Sequence, residues 1–120
     1  MSRPRSFASI IRVLLSIVFL MAGVTKFTSA GWATRFADWG YPPWLSPIVG
    51  MAEVAAAGLL PIRQTRRPAA FALAGVMAAA AATHLVHGET PRVIVSLVLG
   101  GLLVWTTRSP QPQPRNLERP

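Results

Sequence analysis

The amino-acid sequence predicts an all-α fold: a bundle of four transmembrane helices with a short interfacial helix between the first and second. Three observations carry that expectation. Over half of the 120 residues are apolar, and they gather into four long runs divided by short polar or aromatic segments. The runs have almost no polar face, and a chain this short has no means of burying all of them in a water-soluble core. Finally, eleven Arg and one Lys stand against four acids, a net charge of +8, and the basic residues cluster at the ends of the apolar runs. Membrane topology produces that distribution, whereas a nucleic-acid-binding fold spreads its basic residues over exposed faces. The expected partner is therefore a lipid bilayer, with no nucleic acid.

The first span is expected over about residues 7–27. Its apolar run Val13–Val24 is extended on either side of Arg12 and Lys26, giving a helix of about 20 residues, enough for a hydrocarbon core of about 30 Å. Met1–Arg12 and Thr28-Ser29-Ala30 loosely resemble the basic region and cleavage site of a signal peptide, but the length of the run and Lys26 favour a retained anchor. Between the first two spans, Trp32, Phe36 and Trp39 recur at i, i+4 and i+7, one stripe of a short helix. Ser29 is placed to cap its start and Gly40 to stop it. With Tyr41 and Trp44 the stripe concentrates aromatics at one interface, as an aromatic belt or a surface for a partner.

The second span is expected over 45–62, with Pro47 tolerated in its first turn and Pro61 ending or kinking it. The third covers 69–86 after a first-turn Pro68. The fourth covers 91–107, opened by Thr90-Pro91 as N-cap and first helical residue. Its mostly apolar stretch, Val93–Trp105, is short for a crossing. Residues 1–108 thus form the transmembrane domain, and the Pro/Gln/Arg-rich residues 109–120 are expected to be a disordered cytoplasmic tail. Nine basic residues fall on the side of the two termini and three (Lys26, Arg35, Arg92) on the other. That imbalance predicts a multi-pass protein of the cell membrane, in a bacterium the cytoplasmic membrane, with both termini in the cytoplasm.

Few polar side chains lie in or beside the spans, and they gather toward the outer half. Glu53 is eight residues into the second span, about 12 Å from its start. A carboxylate there must be protonated, paired or wet. Lys26 lies near the outer end of the first span and His84 near that of the third. Arg12, Ser16, Phe19, Gly23 and Lys26 follow a 4-3-4-3 spacing, and Ser46, Gly50, Glu53, Ala57 and Leu60 follow the same one. Such seams mark faces that meet in a left-handed bundle. Lys26, Glu53 and His84 are thus the candidate ligand or proton site, against a structural reading in which Lys26 snorkels and Glu53 makes a packing hydrogen bond. The spacing of Gly75, Ala79 and Thr83, with Gly100 and Gly101, reads as helix packing.

His84 and His87 read as interfacial histidines, and no metal site is expected: two His one turn apart need ligands from another helix, and Glu89 is the only nearby acid. There is no cysteine, hence no thiolate chemistry. No phosphate-binding loop, Ser-His-Asp set or carboxylate pair appears, so catalysis by the chain alone is not expected.

Phe19-Leu-Met-Ala-Gly-Val-Thr-Lys26, Gly40-Tyr-Pro-Pro-Trp44, Gly50-Met-Ala-Glu53 and a small-residue third helix ending in His84 resemble the DoxX and DoxX-like family of small membrane proteins. The resemblance covers roughly residues 10–107. It implies a four-helix membrane fold, an association with respiratory or sulfur-linked redox systems such as quinol-oxidising and thiosulfate:quinone complexes, and Lys26 and Glu53 as the charged motif. Some relatives work with partner proteins or as assembly factors. The expected function is that of an accessory subunit of a quinone-linked or redox membrane complex, with quinone as the ligand to be considered. A small proton-coupled transporter and a non-catalytic assembly or chaperone factor are the alternatives, and self-association of the bundle is left open.

Overall fold

The structure, a computed structural model, describes residues 4–108; the expectation for 109–120 lies outside the described residues. Five helices follow in order: α1 (Pro4–Thr28), α2 (Ala30–Asp38), α3 (Leu45–Leu59), α4 (Arg66–Val86) and α5 (Thr90–Arg108). The principal packing pairs are α1 with α3 and α4 with α5; contacts of α3 with α4 and of α1 with α5 close the ring. Contacts between opposite helix ends make every neighbouring pair antiparallel. Ser46 at the start of α3 bonds the Lys26 carbonyl near the end of α1, and Arg12 near the start of α1 reaches the Thr106 carbonyl near the end of α5.

The predicted α1–α3 seam forms and is closely packed. Phe19, Ser46, Glu53, Ala57 and Leu60 are each at most 2% exposed. At its centre Gly23 and Gly50 let the backbones touch: a Cβ on Gly23 would lie 2.6 Å from the Gly50 carbonyl oxygen, and one on Gly50 would lie 2.5 Å from that of Gly23. The apolar core continues from Leu15 and Phe19 through Ala56, Ala57 and Leu60 to Ala69, Ala70, Leu73 and Leu103. The small-residue reading of the other pair needs correction. A Cβ on Gly75 or Gly101 would meet nothing within 4 Å, and Gly100 alone approaches its neighbour, at Met77. Gly75 and Gly101 are therefore not required by close approach of these two helices.

Two turns share one geometry. Gly40 (φ 92°) and Gly88 (φ 72°) take the left-handed conformation. The Gly40 N–H donates to the Ala37 carbonyl and that of Tyr41 to Phe36; likewise Gly88 donates to Leu85 and Glu89 to His84. These are Schellman stops, which satisfy the last carbonyls of α2 and α4. Ser29 caps α2 by accepting from the Gly31 N–H at 3.2 Å, as its position predicts.

Helices α1, α4 and α5 are long and apolar enough to cross a membrane. The segment that falls short is α3, not the fourth as its apolar stretch suggested. Its 15 residues span about 22 Å at 1.5 Å per residue, because the helix stops before Pro61. By contrast α5 gains a turn at each end, through Thr90-Pro91 and through to Arg108. Much of the outer surface is apolar: Val13, Leu14, Ile17, Leu20 and Met21 on α1 and Ile94, Val95, Leu97 and Val98 on α5 are all exposed. Only 17% of the most apolar stretch of α5 is buried within the protein. Such a surface matches lipid as its solvent.

Candidate functional site

Lys26 is the last polar residue of the α1 seam, one turn beyond the Gly23 contact, and Glu53 stands one turn into α3 from Gly50. The glycine contact therefore brings the two charges together: Lys26 Nζ lies 3.1 Å from Glu53 Oε1. The Glu53 side chain has no exposed surface and that of Lys26 has 10%. The pair is close but poorly aligned, so Oε1 gains Coulombic attraction without a well-directed hydrogen bond, and Oε2 is buried with no hydrogen-bond partner. A buried carboxylate usually has its lone pairs satisfied; this one does not.

Above the pair, α2 folds over the end of the bundle. Its aromatic stripe faces inward: the Trp32 ring lies 4.2 Å from Lys26 Nζ, a cation–π contact. Phe36 is buried and packs edge-on against Trp32 at 6.1 Å and at a tilt against Trp39 at 5.5 Å and Tyr41 at 5.8 Å. Trp32 and Trp39 are half-buried, whereas Tyr41 and Trp44 are exposed. Of the five aromatics considered as an interfacial or partner surface, Trp44 is thus the most open, at 61% exposure.

His84 joins this roof and not the ion pair. Its Nδ1–H donates to Glu89 Oε1 at 2.7 Å, its ring meets Trp39 edge-on at 5.4 Å, and Trp39 Nε1–H donates to Glu89 Oε2 at 3.3 Å. Glu89 therefore has both oxygens engaged, and its pKa is lowered from the ordinary value, first by the His84 hydrogen bond and then by Trp39 and the nearby charges of His84 and Arg92. Thr83 Oγ1 donates back to the Ala79 carbonyl, so at 2.6 Å the Tyr41 hydroxyl is the donor to Thr83. His87 Nδ1–H donates to the Thr83 carbonyl. Among the described residues, no group of three or more His, Asp or Glu is placed to hold a metal ion.

The sequence-predicted trio thus divides. Lys26 and Glu53 meet, and His84 stands beyond Trp32, Phe36 and Trp39 in a second polar cluster with Glu89. The sequence places Thr83 in a packing stripe and Glu89 only as an acid near the histidines, neither as a site residue. The signal for Glu89 was present, since a glycine stop after His87 returns the residue following it to His84, the third residue from the helix end.

Apolar outer faces around a buried ion pair define a small helical membrane protein. The chain belongs to the DoxX-like family, whose sequence model matches residues 10–106. No curated protein and no solved structure matches it significantly.

Proposed function

We propose that this protein is an accessory subunit of a quinone-linked or redox membrane complex, in which Lys26 and Glu53 form a ligand-binding or proton-exchanging site. One observation carries the reading: a carboxylate with no exposed surface keeps one oxygen without a partner. A pair kept for packing alone would be expected to satisfy both oxygens.

The residues present suit a quinone headgroup. The Lys26 ammonium has donors to spare for a carbonyl oxygen, Glu53 Oε2 has room in its bonding for a proton, and Trp32 offers a flat apolar wall. A bound quinone would supply the redox chemistry. Lys26 would orient it, Glu53 would hold or pass a proton, and α2 would exclude water. A proton-coupled transporter of cations is less well supported, because the Lys26 charge sits directly on Glu53, the only carboxylate within the four long helices among the described residues.

In this reading all four long helices cross the cell membrane, with Lys26, α2 and Glu89 at the outer face and both termini in the cytoplasm. The antiparallel ring supports α3 as the fourth crossing, its short length met by local bilayer thinning or by the residues flanking it. Glu53→Gln tests the site, since it keeps the shape and removes the titratable charge. The expected result is normal protein level with loss of quinone-dependent electron flow in membranes. Unchanged electron flow at normal level would return Glu53 to a structural role, and loss of proton-dependent cation efflux instead would favour the transporter.

A further inference from the structure

The opposite end of the bundle gathers basic residues with no acid among the described residues to balance them. Arg12, on α1, is 6% exposed. Its Nη2 reaches the Thr106 carbonyl only at 3.5 Å, and its Nε is buried without a hydrogen-bond partner. Arg66, the first residue of α4, donates through Nη2 to the Pro61 carbonyl at 3.0 Å, yet its Nε too is buried and unpartnered. The charges of Arg12 and Arg66 lie near enough to repel each other, as do those of Arg66 and Arg63. Arg67 Nη2 stretches to the Thr107 carbonyl at 3.5 Å.

Part of this arrangement is explained within the fold, because cations beside the last carbonyls of α5 offset the negative end of that helix. That accounts for the weak bonds of Arg12 and Arg67 and leaves both Nε–H groups over. Among the described residues the acids are Asp38, Glu53 and Glu89, and Glu53 and Glu89 are committed to Lys26 and His84 at the other end. A cleft of about 330 Å³ opens here, lined by Arg63, Gln64, Arg66, Arg67, Thr106 and Thr107. It also adjoins the start of α4, whose Thr65 makes no side-chain cap, so the positive end of that helix adds to the field.

We infer that this cleft binds a phosphate-bearing anion, held by Arg66 together with Arg63 and Arg67, with the buried guanidinium of Arg12, bonded to Thr106 in the cleft wall, adding to the positive field. Guanidinium groups match phosphate oxygens in planar, paired hydrogen bonds, and an anion here would offset the cationic charge that no acid among the described residues balances. The chemistry is common to a phospholipid headgroup and a free phosphate.

The full-length chain in a neutral mild detergent is titrated with phosphatidylglycerol, with phosphatidylcholine and with inorganic phosphate, and thermal stability and retained lipid (by native mass spectrometry) are followed. Saturable stabilisation by phosphatidylglycerol alone assigns the site to an anionic headgroup, and stabilisation by inorganic phosphate assigns it to the free ion; either supports the inference. Arg66→Gln and Arg63→Gln should each weaken the response about tenfold, the worth of one hydrogen bond to a charged group. Arg92→Gln, at the other end, should leave it unchanged. Arg63 is exposed, so its variant folds even where loss of the buried Arg12 would not be tolerated. No saturable response to either anion, or one that both Arg63→Gln and Arg66→Gln leave intact, overturns the inference.

Discussion

Glu53 can be read as a proton site or as half of a structural pair, and the two roles respond differently to loss of its partner. Lys26→Met leaves a carboxylate with no exposed surface beside an apolar chain, and removing one member of a buried pair costs about 3 kcal/mol or more. Lys26→Met combined with Glu53→Leu should recover most of that, and thermal unfolding of the single and double variants in detergent measures both. Glu89 makes a separate prediction. Its pKa is lowered by the hydrogen bond from His84, so its contribution to stability is fully present above the ordinary carboxylate range. That contribution fades as pH falls from the ordinary range through the lowered value. Unfolding temperature should therefore drop with acid more steeply in the native chain than in Glu89→Gln; parallel curves would show that the hydrogen bond contributes nothing. At this scale the sequence was informative about depth and less so about partners. The heptad-like spacing sets Lys26 and Glu53 on facing seams, so their meeting was legible. His84 lies in the same half of the bundle, but what it touches depends on α2 folding over the end and on the Gly88 turn returning Glu89, and no helical periodicity reports either.

Between elements, the α1–α3 contact rests on two glycines, and the chain supplies its own controls. At Gly23 and Gly50 an added methyl would collide with opposing backbone, at 2.6 and 2.5 Å from carbonyl oxygens, and backbone cannot move aside as a flexible side chain can. Gly23→Ala and Gly50→Ala should each destabilise by about 1–3 kcal/mol through overpacking, and also pull Lys26 away from Glu53. Gly75→Ala and Gly101→Ala, with nothing within 4 Å, should be tolerated. A Gly75 variant as damaging as the Gly50 one would mean that α4 has a neighbour outside this chain. The same comparison shows why one glycine pattern was legible and the other misleading. On α1 and α3 the small residues alternate with polar residues that must be hidden, which fixes the buried face. On α4 small residues make up about half of the helix and run unbroken from 78 to 83, around every face, so small-residue spacing alone does not say which side faces a partner. The end of α3 follows the same logic: Pro61 was visible, but the three residues it removes from the helix make this segment, and not α5, the short one.

Whether the whole molecule has four crossings is a question its missing cysteines make answerable. With no native thiol, a single introduced cysteine reports its own side of the membrane. Thr34 on α2, Gln64 between α3 and α4, and Thr90 at the start of α5 are all exposed and lie outside the Lys26–Glu53 pair. If α3 crosses, Thr34 and Thr90 share the outer side and Gln64 lies inside, so an impermeant maleimide added to intact cells should label T34C and T90C, and Q64C only after permeabilisation. If α3 lies along the surface, Thr34 and Gln64 share one side and Thr90 moves to the other. The basic residues favour the first outcome. Arg12, Arg63, Arg66, Arg67 and Arg108 all lie at one end of the antiparallel ring, and a surface-lying α3 would strand the Arg63–Arg67 cluster and Arg108 across the membrane from Arg12, against the bias that places such clusters together in the cytoplasm. It would also separate Arg66 from Arg12 and part the α3–α4 contact that buries Leu60 and Leu73. Labelling of Q64C alongside T34C in intact cells would therefore count against the bundle itself as well as the fourth crossing.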